Sequence, residues 1–145
     1  MPDTIGGDLA VDEVVHPLAM IMTQDCDLDL DYKARHGDGG PHRLIDNVLF
    51  CDAGDAVQMR AQGGMNYERW NLVRTFQNER YHVLSGVYGW IGLDFRRIFT
   101  IPTVEIYRRV EIAEAVRLCF LTTTYRDHLS HRFYGYHMRV ALPEP

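Results

Sequence analysis

Trp90-Ile91-Gly92-Leu93-Asp94-Phe95-Arg96-Arg97-Ile98-Phe99-Thr100-Ile101 reads as one long strand with a fault in it. Ile91, Leu93 and Phe95 alternate with small or polar residues, the two-residue period of a sheet with one buried face. At Arg96-Arg97 the alternation breaks, and Ile98, Phe99 and Ile101 resume out of step. Such a break predicts a bulge or bend. A long, bent strand belongs in a strongly curved antiparallel sheet or a small barrel. Pro102 ends it, and Thr103 is placed to cap a short helix through about Arg109.

Upstream, Tyr81-His82-Val83-Leu84 is a short β-type run closed by Ser85-Gly86. Tyr67, Trp70, Val73 and Phe76 recur at three-residue steps, a helical spacing for which Asn66 is the expected cap. Leu44 to Cys51 reads as a strand ended by turn chemistry at Asp52-Ala53-Gly54-Asp55. Arg35 to Arg43 contains Gly37, Gly39, Gly40 and Pro41 and reads as a loop. Pro17 to Met22 is a short apolar run with the length of a buried strand, and Asp8 to Val15 is expected to form another. Downstream, Val116 to Phe120 is a further apolar segment. Leu121, Tyr125, Leu129, Phe133 and Tyr136 then mark one face of a terminal helix. Thr124 and Asp127 have the form of its capping box, and Pro143 forbids its continuation. The expected fold class is α+β: a small, bent antiparallel barrel with a middle helix and a C-terminal helix.

The 145 residues suit a single domain spanning 1–145. With 46% of residues apolar, global disorder is excluded. No run approaches the ~18 apolar residues of a membrane helix. The acidic, glycine-rich opening lacks the form of a signal peptide, so a cytoplasmic location is expected. Cys26, Cys51 and Cys119 lie far apart with no Cys-x-x-Cys pair, which argues against a disulfide framework or a common zinc site. No metal and no cofactor is expected. Residues 1–59 carry twelve Asp/Glu against three cations, a balance of −9, whereas residues 60–145 have a balance of +4. One half repels nucleic acid and the other tolerates it; the asymmetry also suits self-association.

The densest polar cluster is Thr23-Gln24-Asp25-Cys26-Asp27-Leu28-Asp29. Read as strand or loop, it sends Gln24 and Cys26 to one side and Asp25 and Asp27 to the other. Cys26 would then pack inward. Asp27 would meet an arginine from the C-terminal half, which would lower its pKa. The segment follows a buried strand and precedes a glycine-rich loop, so Gln24, Cys26 and Asp27 are expected to wall a pocket or partner site. Flanking carboxylates disfavour the Cys26 thiolate as a nucleophile. The paired arginines Arg96-Arg97 and Arg108-Arg109 have the chemistry to hold phosphates or to pair with acids.

The layout resembles a known family. His16-Pro17-Leu18-Ala19-Met20-Ile21-Met22-Thr23 is similar to the Arg-Pro-x-Leu-Val-Val-Ser strand of MazF/PemK-type toxins. Gly92 to Ile101 resembles their Val-x-Leu-Asp-Gln-Ile-Arg-Thr-Val strand, and Pro102-Thr103 with a short helix follows, as in the family. Leu118 onward looks like their last strand and terminal helix. The chain also resembles a subset of short bacterial proteins with a Ser/Thr-Gln-x-Cys-Asp motif and an Arg-Val-x-Leu-Pro ending. Here these are Thr23 to Asp27 and Arg139 to Pro143.

The first resemblance implies an SH3-like barrel with helices, often dimeric, and metal-independent cleavage of single-stranded RNA. The family's catalytic arginine precedes the proline of the second strand, and a Ser or Thr follows the third. In this sequence those places hold His16 and, nearby, Asp52. His16 is a candidate general acid or base, whereas an ionised Asp52 cannot donate as a hydroxyl would. The expected function is therefore a non-catalytic interaction module of a bacterial toxin or defence system. The alternative is a toxin-like endoribonuclease with His16 as general acid or base, helped by arginines such as Arg96 and Arg97; Asp52 is the second candidate catalytic residue. Candidate binding residues are Gln24, Cys26, Asp27, Arg96 and Arg97. The partner is expected to be a protein, antitoxin-like or a second copy, with single-stranded RNA as an alternative ligand and neither membrane nor DNA.

Overall fold

The computed structural model describes residues 14–86 and 89–138. In chain order its elements are β1 (Ala19–Ile21), α1 (Asp25–Arg35), a 3-10 turn (Pro41–Arg43), β2 (Asn47–Asp55), α2 (Ala56–Gln62), α3 (Tyr67–Arg74), β3 (Tyr81–Gly86), β4 (Gly89–Pro102), α4 (Thr103–Glu111) and α5 (Thr123–His137). The four strands form one antiparallel sheet in the order β1-β2-β4-β3, curled into a half-barrel. The class is mixed α+β.

The fault read in the sequence is the central structural event. β4 pairs with β3 from Gly89↔Gly86 to Asp94↔Tyr81. It pairs with β2 in two registers: Cys51 faces Ile98, but Ala53 faces Leu93. Residues 94–97 of β4 thus stand opposite the single residue Asp52. This bulge bends the strand and curls the sheet.

The sheet buries both faces. On one, Cys51, Leu93 and Phe95 with Met22 and Leu84 pack against Leu129 and Phe133 of α5. On the other, Tyr81 and Val83 pack against Trp70 and Val73 of α3, Met65 and Ala56. Gly92 lets α2 approach: a Cβ there would lie 2.7 Å from the Met59 side chain and 3.3 Å from the Ala56 Cα. The helix expected from Asn66 onward forms with that cap, the Asn66 side chain accepting from the Arg69 N–H at 2.9 Å.

Several expectations are corrected. Residues 25–35 form a helix, not the strand or loop read from the alternating aspartates. Asp25 and Asp27 lie in its first turn and Lys33 and Arg35 in its last, complementing the helix dipole. Asp29–Lys33 at 2.7 Å and Asp31–Arg35 at 2.9 Å add i,i+4 pairs. Asp52 to Asp55 continue β2 instead of ending it, and Asp55 caps the unanticipated α2 through the Gln58 N–H. Thr103 does not cap α4; its hydroxyl donates to the Ile45 carbonyl at 2.7 Å. α5 begins at Thr123 after Thr122, so Thr124 caps nothing. Val116 to Phe120 joins no strand and is exposed. Most of the strand expected from Asp8 to Val15, and the Arg139 to Pro143 ending, lie outside the described residues; Val14 and Val15 are exposed and outside any strand.

Asp31 binds α1 to the rest. It is fully buried, and it accepts from Arg35 Nε at 2.9 Å, the Ile45 N–H at 2.8 Å and the Tyr107 hydroxyl at 2.9 Å. Burial alone would raise its pKa, but these donors together hold it below the ordinary carboxylate value. Replacing Asp31 with Asn takes the buried charge away from its three donors, leaving the half-buried Arg35 without its partner, and should cost about 3 kcal/mol in urea unfolding. The exposed Asp29→Asn should change nothing measurable. Because the native pKa is depressed, the Asp31 contribution is present above the unfolded carboxylate value and is lost as pH falls through the native one.

Candidate functional site

The bulge sets the geometry of a cleft of about 350 Å³ on the α2–α3 face of the sheet. Its floor comprises Asp52 and Gly54 of β2 with Gly92 and Asp94 of β4; Arg80 and Arg97 stand at its sides. Val15 and Pro17 form another wall.

Between those two residues, His16 points Nδ1 at Asp52 Oδ1, 2.6 Å away. A carboxylate only accepts, so it holds the proton on Nδ1 and leaves the Nε2 lone pair available in neutral imidazole. The ring lies flat on Phe99, with centroids 3.6 Å apart and planes 12° apart, and Phe99 stacks in turn on Phe50. His16 borders the cleft without lining it; its neighbours and its partner are the lining residues.

Asp94 is the buried acid of the site, 9% exposed. Arg80 grips it with two bonds, Nε to Oδ1 at 2.9 Å and a terminal nitrogen to Oδ2 at 2.8 Å. Asp94 also accepts the Arg96 N–H at 3.1 Å. Burial raises its pKa, but the Arg80 bonds, the Arg96 N–H and the charges of Arg80 and Arg97 together pull it below the ordinary value. Arg97 is exposed and forms no ion pair or hydrogen bond among the described residues. The cleft therefore holds one acid neutralised by an arginine (Asp94), one hydrogen-bonded to His16 (Asp52), a third (Asp55) spent on a helix cap, and one cation open to a ligand.

Of the residues singled out in the sequence, the fold brings His16 and Asp52 together and sets Arg97 in the same cleft. Arg96 points elsewhere, its Nε donating to the Tyr136 hydroxyl at 2.8 Å. Gln24, Cys26 and Asp27 are exposed at the start of α1 and line neither this cleft nor the smaller one beside α5. The inward cysteine is Cys51, whose thiol burial raises to about 12 with help from the Asp94 and Asp52 charges. The link between the acidic and basic halves runs through Asp25, not Asp27, to Arg126 at 2.6 Å. Arg108 and Arg109 both bind Glu105 of their own helix, lowering its pKa to about 2. Among the described residues no three His, Cys, Asp or Glu side chains are grouped to hold a metal ion, and no helix is long and apolar enough to cross a membrane.

The sequence did not single out Arg132, and it offered His82 only as one of several histidines able to stand beside Cys26, which it does not. His82 is 1% exposed, and Arg132 of α5 donates to its Nδ1 at 2.8 Å. Arg132 also donates to the Tyr81 carbonyl at 3.1 Å and to the Asn78 carbonyl, pinning α5 to β3. The one signal for His82 was a polar residue inside the short run Tyr81 to Leu84. No family model matches the chain, and no curated protein or solved structure matches it significantly.

Burial, then the charge of Arg132 and then His128, push the His82 pKa down to about 3. Between that value and the ordinary histidine pKa only the unfolded chain binds the proton, so His82 makes stability fall as pH falls. From pH 7 to pH 5 this one group should remove about 2 kcal/mol. In urea unfolding at the two pH values, His82→Gln should lose less stability than wild type by that amount.

Proposed function

We propose that the chain is a divergent MazF/PemK-like domain on an SH3-like barrel and that it serves as a protein-binding module of a bacterial toxin or defence system. A curled antiparallel sheet, a long bulged strand followed by a short helix, and a terminal helix packed across the sheet support the barrel reading. The observation that carries the function is a run of exposed apolar side chains between α4 and α5. Val116 and Phe120 are 71% and 72% exposed, and Val110, Ile112 and Leu118 of the same stretch are exposed too. Apolar side chains concentrated on a surface in this way mark association sites. Arg117 stacks on Phe120 with its guanidinium carbon 3.5 Å from the ring centroid, so the surface presents a cation among apolar groups. It suits a partner with apolar side chains and carboxylates, an antitoxin-like protein or the acidic half of a second copy.

The His16–Asp52 contact favours a second reading, cleavage of single-stranded RNA. RNA carries its own nucleophile, so neither a metal nor a protein nucleophile is required. Nε2 of His16 would take the 2′-hydroxyl proton while the 2′-oxygen attacks phosphorus. The bond from phosphorus to the 5′-oxygen breaks, and that oxygen takes a proton from solvent. Arg97 would offset the charge that develops on the phosphate.

One set of measurements separates the readings. Purified protein incubated with mixed RNA in EDTA should leave it intact, and sedimentation should show association that Phe120→Asp abolishes. Cleavage that persists in EDTA and disappears in His16→Ala would replace the module with the nuclease.

A further inference from the structure

A second cleft, of about 230 Å³, opens beside α5 and between α3 and the β3–β4 pair. Its buried wall is His82. A guanidinium offers only donors, so the bond from Arg132 requires Nδ1 to accept, and the proton of the neutral ring sits on Nε2. That N–H has no hydrogen-bond partner among the described residues. Among the described residues no side-chain nitrogen or oxygen closed off from solvent lacks a partner, so this N–H reaches the open space of the cleft and can donate to an acceptor there.

The mouth carries three aromatic side chains. Phe76, Trp90 and Tyr125 are 40%, 47% and 59% exposed and line the same cavity. Phe76 has a φ of +59°, a left-handed conformation that side chains other than glycine rarely adopt. It is the left-handed residue that ends α3: the Phe76 N–H donates to the Val73 carbonyl at 3.1 Å and the Gln77 N–H to the Leu72 carbonyl at 2.8 Å, and this turn sets the ring at the mouth. The Arg74 guanidinium lies 5.7 Å from the Trp90 ring centroid and forms no ion pair among the described residues.

We propose that this cleft binds a pyrimidine nucleotide, with its base on the aromatic walls, a ring carbonyl or nitrogen accepting from His82 Nε2, and its phosphate on Arg74. Each part of the ligand answers one feature. The exposed rings take a planar group by stacking. The in-plane donor needs an acceptor on the edge of that ring, which nucleobases have and the rings of Phe and Tyr lack. The open cation needs an anion at a short distance from the ring. The small volume suits one ring better than a fused pair. The proposal is independent of both readings of the His16 cleft. A nucleotide free in solution and one within an RNA strand present the same chemistry.

Tryptophan fluorescence is the readout, because Trp90 is exposed and the other tryptophan, Trp70, is 8% exposed. Purified full-length protein is titrated with uridine monophosphate, uridine, adenosine monophosphate, ribose 5-phosphate and a short oligouridylate, with calorimetry in parallel. Saturable quenching by uridine monophosphate is expected, with weaker binding of the adenosine nucleotide and none of ribose 5-phosphate. Arg74→Ala, a change at an exposed position, should weaken uridine monophosphate at least fivefold and leave uridine unchanged. Phe76→Ala should weaken both. If the oligouridylate binds more than tenfold tighter than the mononucleotide, the source is an RNA strand; if it does not, the source is the free nucleotide. No saturable response to any of the pyrimidine ligands at millimolar concentration overturns the proposal. So does equal binding of ribose 5-phosphate, or an Arg74→Ala protein that binds the nucleotide as wild type does.

Discussion

The bulge at residues 94–97 sets the geometry of the molecule. It is a place where backbone groups leave the ladder, and such groups must find partners inside the protein. Asp94 supplies them from one residue: its carboxylate takes the Arg96 N–H while its carbonyl takes the Cys51 thiol at 3.2 Å. The Arg80 carbonyl takes the Phe95 N–H at 2.9 Å, so β3 remains attached as β4 turns. The Arg80 guanidinium neutralises the acid that makes this possible. Without that pair a buried carboxylate would face the bend alone, and the two registers of β4 would lose the element that separates them.

Once β4 is bent, the two faces of the sheet acquire different work. The α5 face is filled by Leu129 and Phe133 and closed by Arg132, whose three donors fasten the helix to β3. The opposite face is covered at one end by α2 and α3. At the far end of β2, the Ile45 carbonyl takes donors from Arg35 and Thr103, and its N–H goes to Asp31. The span between is left open as the larger cleft. Its location is thus a consequence of where the helices stop.

The charge asymmetry of the chain survives folding, because among the described residues one ion pair, Asp25 with Arg126, joins the acidic half to the basic one. Asp25, Asp29 and Asp31 of α1 each have a cation, from Arg126, Lys33 and Arg35 respectively. Those acids sit away from the cleft bordered by His16, so they do not set its electrostatics as an adjacent acidic loop would. Of the arginines without an ion pair or side-chain hydrogen bond among the described residues, Arg74, Arg97 and Arg117 lie at three separate places: the small cleft, the large cleft and the exposed apolar stretch. Each is where the protein has charge to offer a ligand.

The sequence by itself determined the elements whose cause is local. The alternation of Ile91 to Phe95 and its break at Arg96 set both the long strand and its bulge, because a period-two pattern is a property of the chain. Asn66 and the three-residue steps after it set α3 for the same reason. Tertiary structure decided the rest. The aspartates of α1 alternate like a strand, yet two i,i+4 ion pairs and the burial of Asp31 against Ile45 and Tyr107 favour a helix; the last two partners are remote in sequence. Cys26, expected to pack inward, is exposed, since burial depends on which element covers a residue. His16 and Asp52 were each legible as candidates, but their contact required β1 to pair with β2. The small cleft was not legible at all: Phe76, His82, Trp90 and Tyr125 come from four segments, and only packing gives them a common wall.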